Sequence, residues 1–351
     1  MGVIKFKGIG IESLSGTVPI NKVETIQRND FFTEKQLTEF VDKTGVEERR
    51  IANEDVCSSD LCFDAAINLF NKTDTNPNEI DALIFISQTP DYRVPGTSII
   101  LQHRLNLPKT TIAFDVNMTC SGYIYGLFLA YSLVNINSIK HVLLLNGETL
   151  SKITSPRDNS TGLLLGDGGS ATIIGKNEKY GDSFFSLNTD GSNSEAVIIP
   201  GGGFRNMSSI DTLTYKRFKD GSERNAEQIR MDGMEVFSFA VSELPKDIRG
   251  LLNYAEKNVS DVDIFVFHQA NKYMMNVITK KLKIDPKKIL YSIQKYGNTS
   301  GASIPLTIAD QKNLINNNDV LLLNAIGAGF SWGTLLLKMV DCNILDISEM
   351  K

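Results

Sequence analysis

The chain has 351 residues, with 36 Lys and Arg against 41 Asp and Glu, a formal net charge of −5. That balance excludes a nucleic-acid binder working by bulk charge, and 42 % apolar with 22 % charged residues excludes disorder and fibrous repeats. The length implies a large core, in two domains or in one domain of two halves.

The opening residues, MGVIKFKGIGIESL, carry Lys5 and Lys7 inside their only apolar stretch, so they are not a secretory signal, and Phe6 stands where an N-myristoylation motif needs Ser or Thr. The Asn-x-Ser/Thr triplets at Asn71, Asn117, Asn159, Asn206, Asn258 and Asn298 then reflect an Asn-rich composition and not glycan sites. Cys57, Cys62, Cys120 and Cys342 make no C-x-x-C pair and no disulfide framework, which points to a reducing, cytoplasmic compartment.

A helical pattern over 60–72 leads to a buried strand at 80–86, IDALIFI. The next strand, FDV at 114–116, runs into Asn117-Met118-Thr119-Cys120-Ser121-Gly122 and then into an apolar helix rich in small residues. Cys120 thus sits at a helix N-terminus, where unpaired N–H groups and the helix dipole favour the thiolate and lower its pKa. On spacing alone, a small buried side chain fits the position equally well. Cys57 and Cys62 flank or open the 60–72 helix and Cys342 lies in a polar tail, so these read as structural. After a strand at 141–146, HVLLLN, the run GDGGSA at 166–171 lacks both G-x-G-x-x-G spacing and a Walker lysine, and reads as a tight turn between strands. Residues 188–226, with Gly201-Gly202-Gly203 and many polar side chains, read as a long surface insertion more than as a functional lid.

A helical pattern over 241–257 precedes the strand VDIFVF at 262–267, which ends in His268-Gln269-Ala270-Asn271. An imidazole at the C-terminal edge of a buried strand lies where the ligand sites of α/β sheets gather, although a structural histidine can occupy the same place. His103 and His141 are surface positions, and three scattered histidines give no metal-ligand spacing. LYSI at 290–293 predicts a strand leading to Asn298, which lies between Gly297 and Gly301. Residues 320–340 are long enough to span a bilayer of ~30 Å. Asn324, Ser331, Lys338 and the glycines at 327, 329 and 333 instead predict two buried strands around a turn.

These elements repeat. Strands 80–86 and 262–267, and HVLLLN at 141–146 against DVLLLN at 319–324, are offset by about half the chain, with a strand, a small-residue loop and a small-residue helix between them each time. A duplicated βαβ-rich unit explains this, with halves at 1–180 and 181–351 and parallel strands buried on both faces. If the halves pack about a pseudo-twofold axis, the loops carrying Cys120 and Asn298 meet at the centre.

TGVEERRI at 44–51, SQTPDYRVP at 87–95, DVNMTCSG at 115–122, GDGGSA, FHQAN at 267–271, YGNTSGASIP at 296–305 and GAGFSWG at 327–333 run in the order of one family. The chain resembles the β-ketoacyl-acyl carrier protein synthase III enzymes of the thiolase fold. The resemblance implies an α/β fold of five layers, α/β/α/β/α, in a homodimer, with a Cys120-His268-Asn298 triad and an oxyanion hole from the backbone N–H groups of Cys120 and Ala328. It implies a decarboxylative condensation of an acyl thioester with malonyl-acyl carrier protein, needing no metal and no organic cofactor. Two other readings of the fold are acyl transfer to an alcohol or amine, which Asn298 argues against, and a non-catalytic partner of an active paralogue. Cys342 stands in no glycine-bounded motif of the kind degradative thiolases use.

Substrate contacts are implied at Lys43, Val94, Gly233 and Asn271, and the partner proteins are acyl carrier protein and a second copy of the chain. The family's adenine clamp, a Trp and an Arg, falls on Glu39 and Asn159, and a nearby Arg on Lys43. The basic carrier-docking residue falls on Tyr273, leaving Lys272, Lys280 and Lys281 to supply charge. The bulky aromatic that closes the acyl pocket falls on Val94, which predicts room for a longer or branched acyl chain.

Overall fold

The computed structural model describes residues 2–28 and 30–351. Its principal strands in the first part of the chain are Val3–Lys7 (β1), Ile9–Pro19 (β2), Ala82–Ile86 (β3), Ile112–Val116 (β4), Val142–Thr149 (β5) and Asp167–Lys176 (β6). They are followed by Asp182–Thr189 (β7), Ile264–Phe267 (β8), Val320–Gly327 (β9) and Ser331–Lys338 (β10), and by two short strands, Asn343–Ile344 (β11) and Ser348–Met350 (β12). The main helices are Glu34–Thr44 (α1), Ser58–Lys72 (α2), Thr97–Arg104 (α3), Gly122–Val134 (α4), Gly233–Tyr254 (α5), Lys272–Leu282 (α6) and Ser303–Asp310 (α7).

Two sheets share one plan. In the first, β4 lies parallel to β3 and β3 parallel to β5, and then β6 and β2 follow antiparallel. In the second, β8 lies parallel to β9, with β10 and β7 following antiparallel. The strand expected at 290–293 is missing. Only a single parallel bridge, Phe265 to Ile289, stands where β4 stands in the first sheet, and residues 293–296 turn helical. The terminal strands cross between sheets: β1 pairs with β7 in the second, while β11 and β12 pair with β2 in the first.

The apolar runs are explained by burial on both strand faces. Along β3, Ala82, Ile84 and Ile86 join a central cluster with α4 and α7, while Leu83 and Phe85 face α2 and α3. On β9, Leu321, Leu323 and Ala325 face the same central cluster, and Leu322 and Ile326 face α5 and α6. The layers are therefore α2–α3, first sheet, α4–α7, second sheet, α5–α6, the five-layered order expected. Each fully buried Leu or Ile in them stabilises the fold by about 1.5–3 kcal/mol. Helix α4 occupies the middle layer, and Tyr123, Ile124, Leu127, Ala130, Tyr131 and Val134 are all fully buried, which is why its sequence is apolar on almost every side.

GDGGSA does not form the expected turn; its residues from Asp167 onward open β6. A Cβ on Gly169 would stand 2.7 Å from the Leu61 and Cys62 backbone, and one on Gly168 would stand 2.6 Å from Leu306. The glycines let α2 and α7 close on opposite faces of one strand. Residues 320–340 form the expected antiparallel pair. Among the described residues, no helix is long and apolar enough to cross a membrane. The base of the 188–226 segment walls a pocket through Val197, while Phe204 and Ile210 farther along are 80 % and 86 % exposed.

Candidate active site

The strand ends of both sheets open onto one cavity, lined by Cys120, His268 and Asn298 together with Gln88, Thr119, Ser300 and Ala328. Its outer walls are apolar, from Leu165, Val197, Ile229, Met231, Val236, Met274 and Phe330. The two loops predicted to meet do so here.

β4 ends at Val116 and α4 starts at Gly122, so Cys120 lies one residue before the Ser121 N-cap. The lowered pKa expected from the helix start is not what prevails. Burial pushes the Cys120 thiol up to about 11, and a hydrogen bond from Ser300 Oγ, 3.5 Å from Sγ, opposes the rise. Desolvation of the thiolate outweighs the helix start.

His268 follows β8, and its backbone N–H donates to Asn324 O at 2.8 Å. Burial pulls its pKa to about 4, so the ring is neutral at physiological pH. Its Nδ1 lies 2.7 Å from Ser303 Oγ, which also accepts from the Gln269 N–H. When the Ser303 hydroxyl donates to Nδ1, the imidazole carries its own proton on Nε2.

Asn298 is clamped by the first half of the chain. Its N–H donates to Leu164 O at 2.9 Å, and its carbonyl accepts from the Gly166 N–H at 3.0 Å. Buried Arg49, from TGVEERRI, holds that partner segment by donating to Gly162 O and Leu165 O. Gly297 has φ +64°, and a Cβ there would meet Leu164 O at 2.6 Å, so only glycine fits. Asn298 Oδ1 accepts from the Ser300 N–H at 2.8 Å, which leaves the Nδ2 donors unengaged by that bond.

The Ala328 N–H, expected in the oxyanion hole, donates to Thr119 Oγ1 at 2.8 Å. Gly233 and Asn271 line the pocket, and Asn271 Oδ1 also caps α6 through the Met274 N–H at 2.7 Å. Lys43 and Val94 do not line it. Lys43 pairs with Glu39 at 3.7 Å on the exposed side of α1, and Val94 is 82 % exposed. Asn159 Nδ2 donates to Asp220 O. Lys272, Lys280 and Lys281 are exposed on α6, and Lys281 Nζ donates to Val241 O at 3.0 Å. Cys62, buried in α2, and Cys342, packed against the central cluster, do not line the cavity.

Gln88, Thr119, Ser300 and Ser303 are the site residues that the sequence did not single out. All four lie in the quoted motifs, but a small polar residue in a turn looks like a turn former.

Comparison with known proteins bears on the family and the fold. Residues 114–191 match the family model "3-Oxoacyl-[acyl-carrier-protein (ACP)] synthase III", and residues 252–339 match its C-terminal counterpart. A β-ketoacyl-[acyl-carrier-protein] synthase III of Natranaerobius thermophilus is 34 % identical over 88 % of this chain and 95 % of its own. The chain belongs to the 3-oxoacyl-[acyl-carrier-protein] synthase III family. A second relative of that name, from Fusobacterium nucleatum, is 32 % identical over 95 % of this chain and 99 % of its own. The crystal structure of a 3-oxoacyl-(acyl-carrier protein) synthase from Burkholderia xenovorans LB400 superposes with a TM-score of 0.92 at 33 % identity, covering 99 % of each chain. As a member of the synthase III family the protein is an acyl-transferring condensing enzyme of the thiolase fold.

Proposed function

We propose that Cys120 takes an acyl group from a coenzyme A or carrier-protein thioester, and that the acyl-enzyme then condenses with malonyl-acyl carrier protein. The observation that carries this reading is the convergence of Cys120, His268 and Asn298 in one pocket, with Asn298 Oδ1 engaged by the Ser300 N–H. The Cys120 sulfur attacks the thioester carbonyl, the leaving thiolate takes the thiol proton, and the acyl group stays on sulfur. The oxyanion forms against the Cys120 N–H and the Ala328 N–H, which exchanges Thr119 Oγ1 for it. Loss of carbon dioxide from the malonyl thioester leaves an enolate, whose oxygen is held by His268 Nε2–H and an Asn298 Nδ2–H. The enolate carbon attacks the acyl-enzyme, the C–S bond breaks, and a β-ketoacyl thioester leaves.

The reading extends to a homodimer, supported by the exposed apolar edge of the first sheet, where Ile112 on β4 and Ile99 on α3 are 48 % and 55 % exposed. In that dimer Val94 would reach the partner's acyl pocket, and its small size suits a longer or branched primer. Acyl carrier protein would dock on α6, where Lys272 adjoins the pocket-lining Asn271 and Lys280 and Lys281 stand in the last turn.

Intact-protein mass after exposure to panels of acyl-coenzyme A and acyl-carrier-protein donors tests the reading. The expected result is one acyl group on the wild type and none on Cys120→Ala, with carbon dioxide released when malonyl carrier protein follows. An acyl-enzyme that never releases carbon dioxide would mean transfer to an alcohol or amine instead. The absence of any adduct would favour a non-catalytic partner.

A further inference from the structure

We propose that Ser300 is a further catalytic residue, donating its hydroxyl proton to the Cys120 sulfur, and that Gln88 is a positioning residue that fixes the direction of this hydrogen bond. The inference rests on the reading of Cys120 as the nucleophile.

Gln88 Nε2 donates to Ser300 Oγ at 3.0 Å, and Ser300 Oγ lies 3.5 Å from Cys120 Sγ. A hydroxyl has one proton to give. With the Gln88 amide donating to the oxygen, the proton of Ser300 is directed away from Gln88 and onto the sulfur. The opposite amide orientation would set Gln88 Oε1 against Ser300 and draw that proton off the sulfur.

Both residues are held from behind. The Gln88 backbone N–H donates to both oxygens of buried Glu148, each at 3.2 Å, and the same carboxyl accepts from Thr89 Oγ1 at 3.0 Å. Ser300 has φ +51°, a left-handed conformation that costs energy in a non-glycine residue and persists only where its surroundings fix it. Its backbone N–H is the group that holds Asn298 Oδ1. One residue therefore serves both halves of the reaction, the amide through its backbone and the thiol through its side chain. Truncating the side chain separates the two.

The need for such a donor follows from the pocket. Burial disfavours the thiolate, Glu148 on β5 disfavours it further, and His268 is neutral and brings no positive charge. The Ser300 hydrogen bond is the largest opposing contribution. In Ser300→Ala the thiolate loses this partner while the backbone hold on Asn298 remains.

The experiment follows Cys120 alkylation by iodoacetamide across pH, read by intact mass, in the full-length wild type, Ser300→Ala and Gln88→Met. Ser300→Ala should move the reactive limb up by about one pH unit, a roughly tenfold slower reaction at any pH below it. Formation of the acyl-enzyme should slow by the same factor, while an enzyme already acylated should release carbon dioxide from malonyl carrier protein at the wild-type rate. Gln88→Met, which leaves Ser300 in place, should shift the profile in the same direction by about threefold. Gln88→Met also removes a side-chain hydrogen bond that lowers Glu148, so the difference between the wild-type and Ser300→Ala profiles is the deciding one. Superimposable profiles would overturn the inference and leave Cys120 as nucleophile. A wild type that forms no acyl-enzyme on Cys120 would overturn both.

Discussion

The turn between β4 and α4 and the turn that leads into α7 occupy equivalent places in the two sheets. Each follows the outermost parallel partner of its sheet: five paired residues of β4 beside β3 in one, and the lone Ile289 bridge beside Phe265 in the other. The first is regular, with Ser121 in right-handed helical geometry just after Cys120. The second bends through Gly297 and Ser300, both at positive φ, and is clamped by residues 164–166 of the other half. A nucleophile needs only to stand at the pocket floor, whereas hydrogen-bond donors must be aimed at one oxygen. The irregular backbone is found where aim matters.

This division can be broken most severely at the donors. Asn298→Ala and His268→Ala should each lower condensation by about 10²- to 10³-fold while Cys120 still acquires its acyl group, as intact mass and carbon dioxide release would report separately. If either substitution abolished acylation too, the two turns would not have separate tasks.

A finer test lies at Ser303, whose Oγ stands 2.7 Å from His268 Nδ1. Because burial holds His268 near 4, decarboxylation by the acylated wild type should stay flat between about pH 5 and 8. Ser303→Ala should cost about tenfold in that step and leave the profile flat, because burial and not Ser303 keeps the ring neutral. An unchanged rate in the variant would show that the ring is oriented by its surroundings alone.

The smallest effect distinguishes how the turns are anchored. The second uses a neutral side chain, Gln269, whose Oε1 accepts from the Ser292 and Ile293 N–H groups. The first leans on Glu148, which burial raises to about 8. Between its unfolded value of 4.5 and 8, the folded state holds the proton more tightly, so stability is lost as pH rises through this window. Glu148→Gln should flatten the decline of the melting temperature between pH 5 and 8 by about 2 °C. An unchanged slope would mean that Glu148 is already ionised at neutral pH.

Much of this was legible in the sequence because burial on both faces leaves uninterrupted apolar runs, and because two copies of one unit repeat them. Cys120 and His268 stood out as reactive side chains at a helix start and a strand end, and Asn298 by its place in the loop equivalent by repeat to that of Cys120. The strand predicted at 290–293 failed because a single bridge to Ile289 suffices at that edge, and composition cannot distinguish one bridge from a ladder. GDGGSA looked like a turn because glycine serves both bends and close packing, and only the positions of Leu61, Cys62 and Leu306 tell them apart. The thiol's raised pKa was illegible for a similar reason: the helix start is written locally, whereas desolvation comes from distant segments closing over it.

The exchange of terminal strands governs the order in which the chain can be assembled. β1, made first, has no partner until β7 exists some 180 residues later, and the outer edge of β2 is not covered until residues 343–350 have been made. During synthesis that edge of the first sheet is an open template for other chains. Such distant pairings slow folding, and a chain cut near residue 180 would leave each piece lacking a strand held by the other.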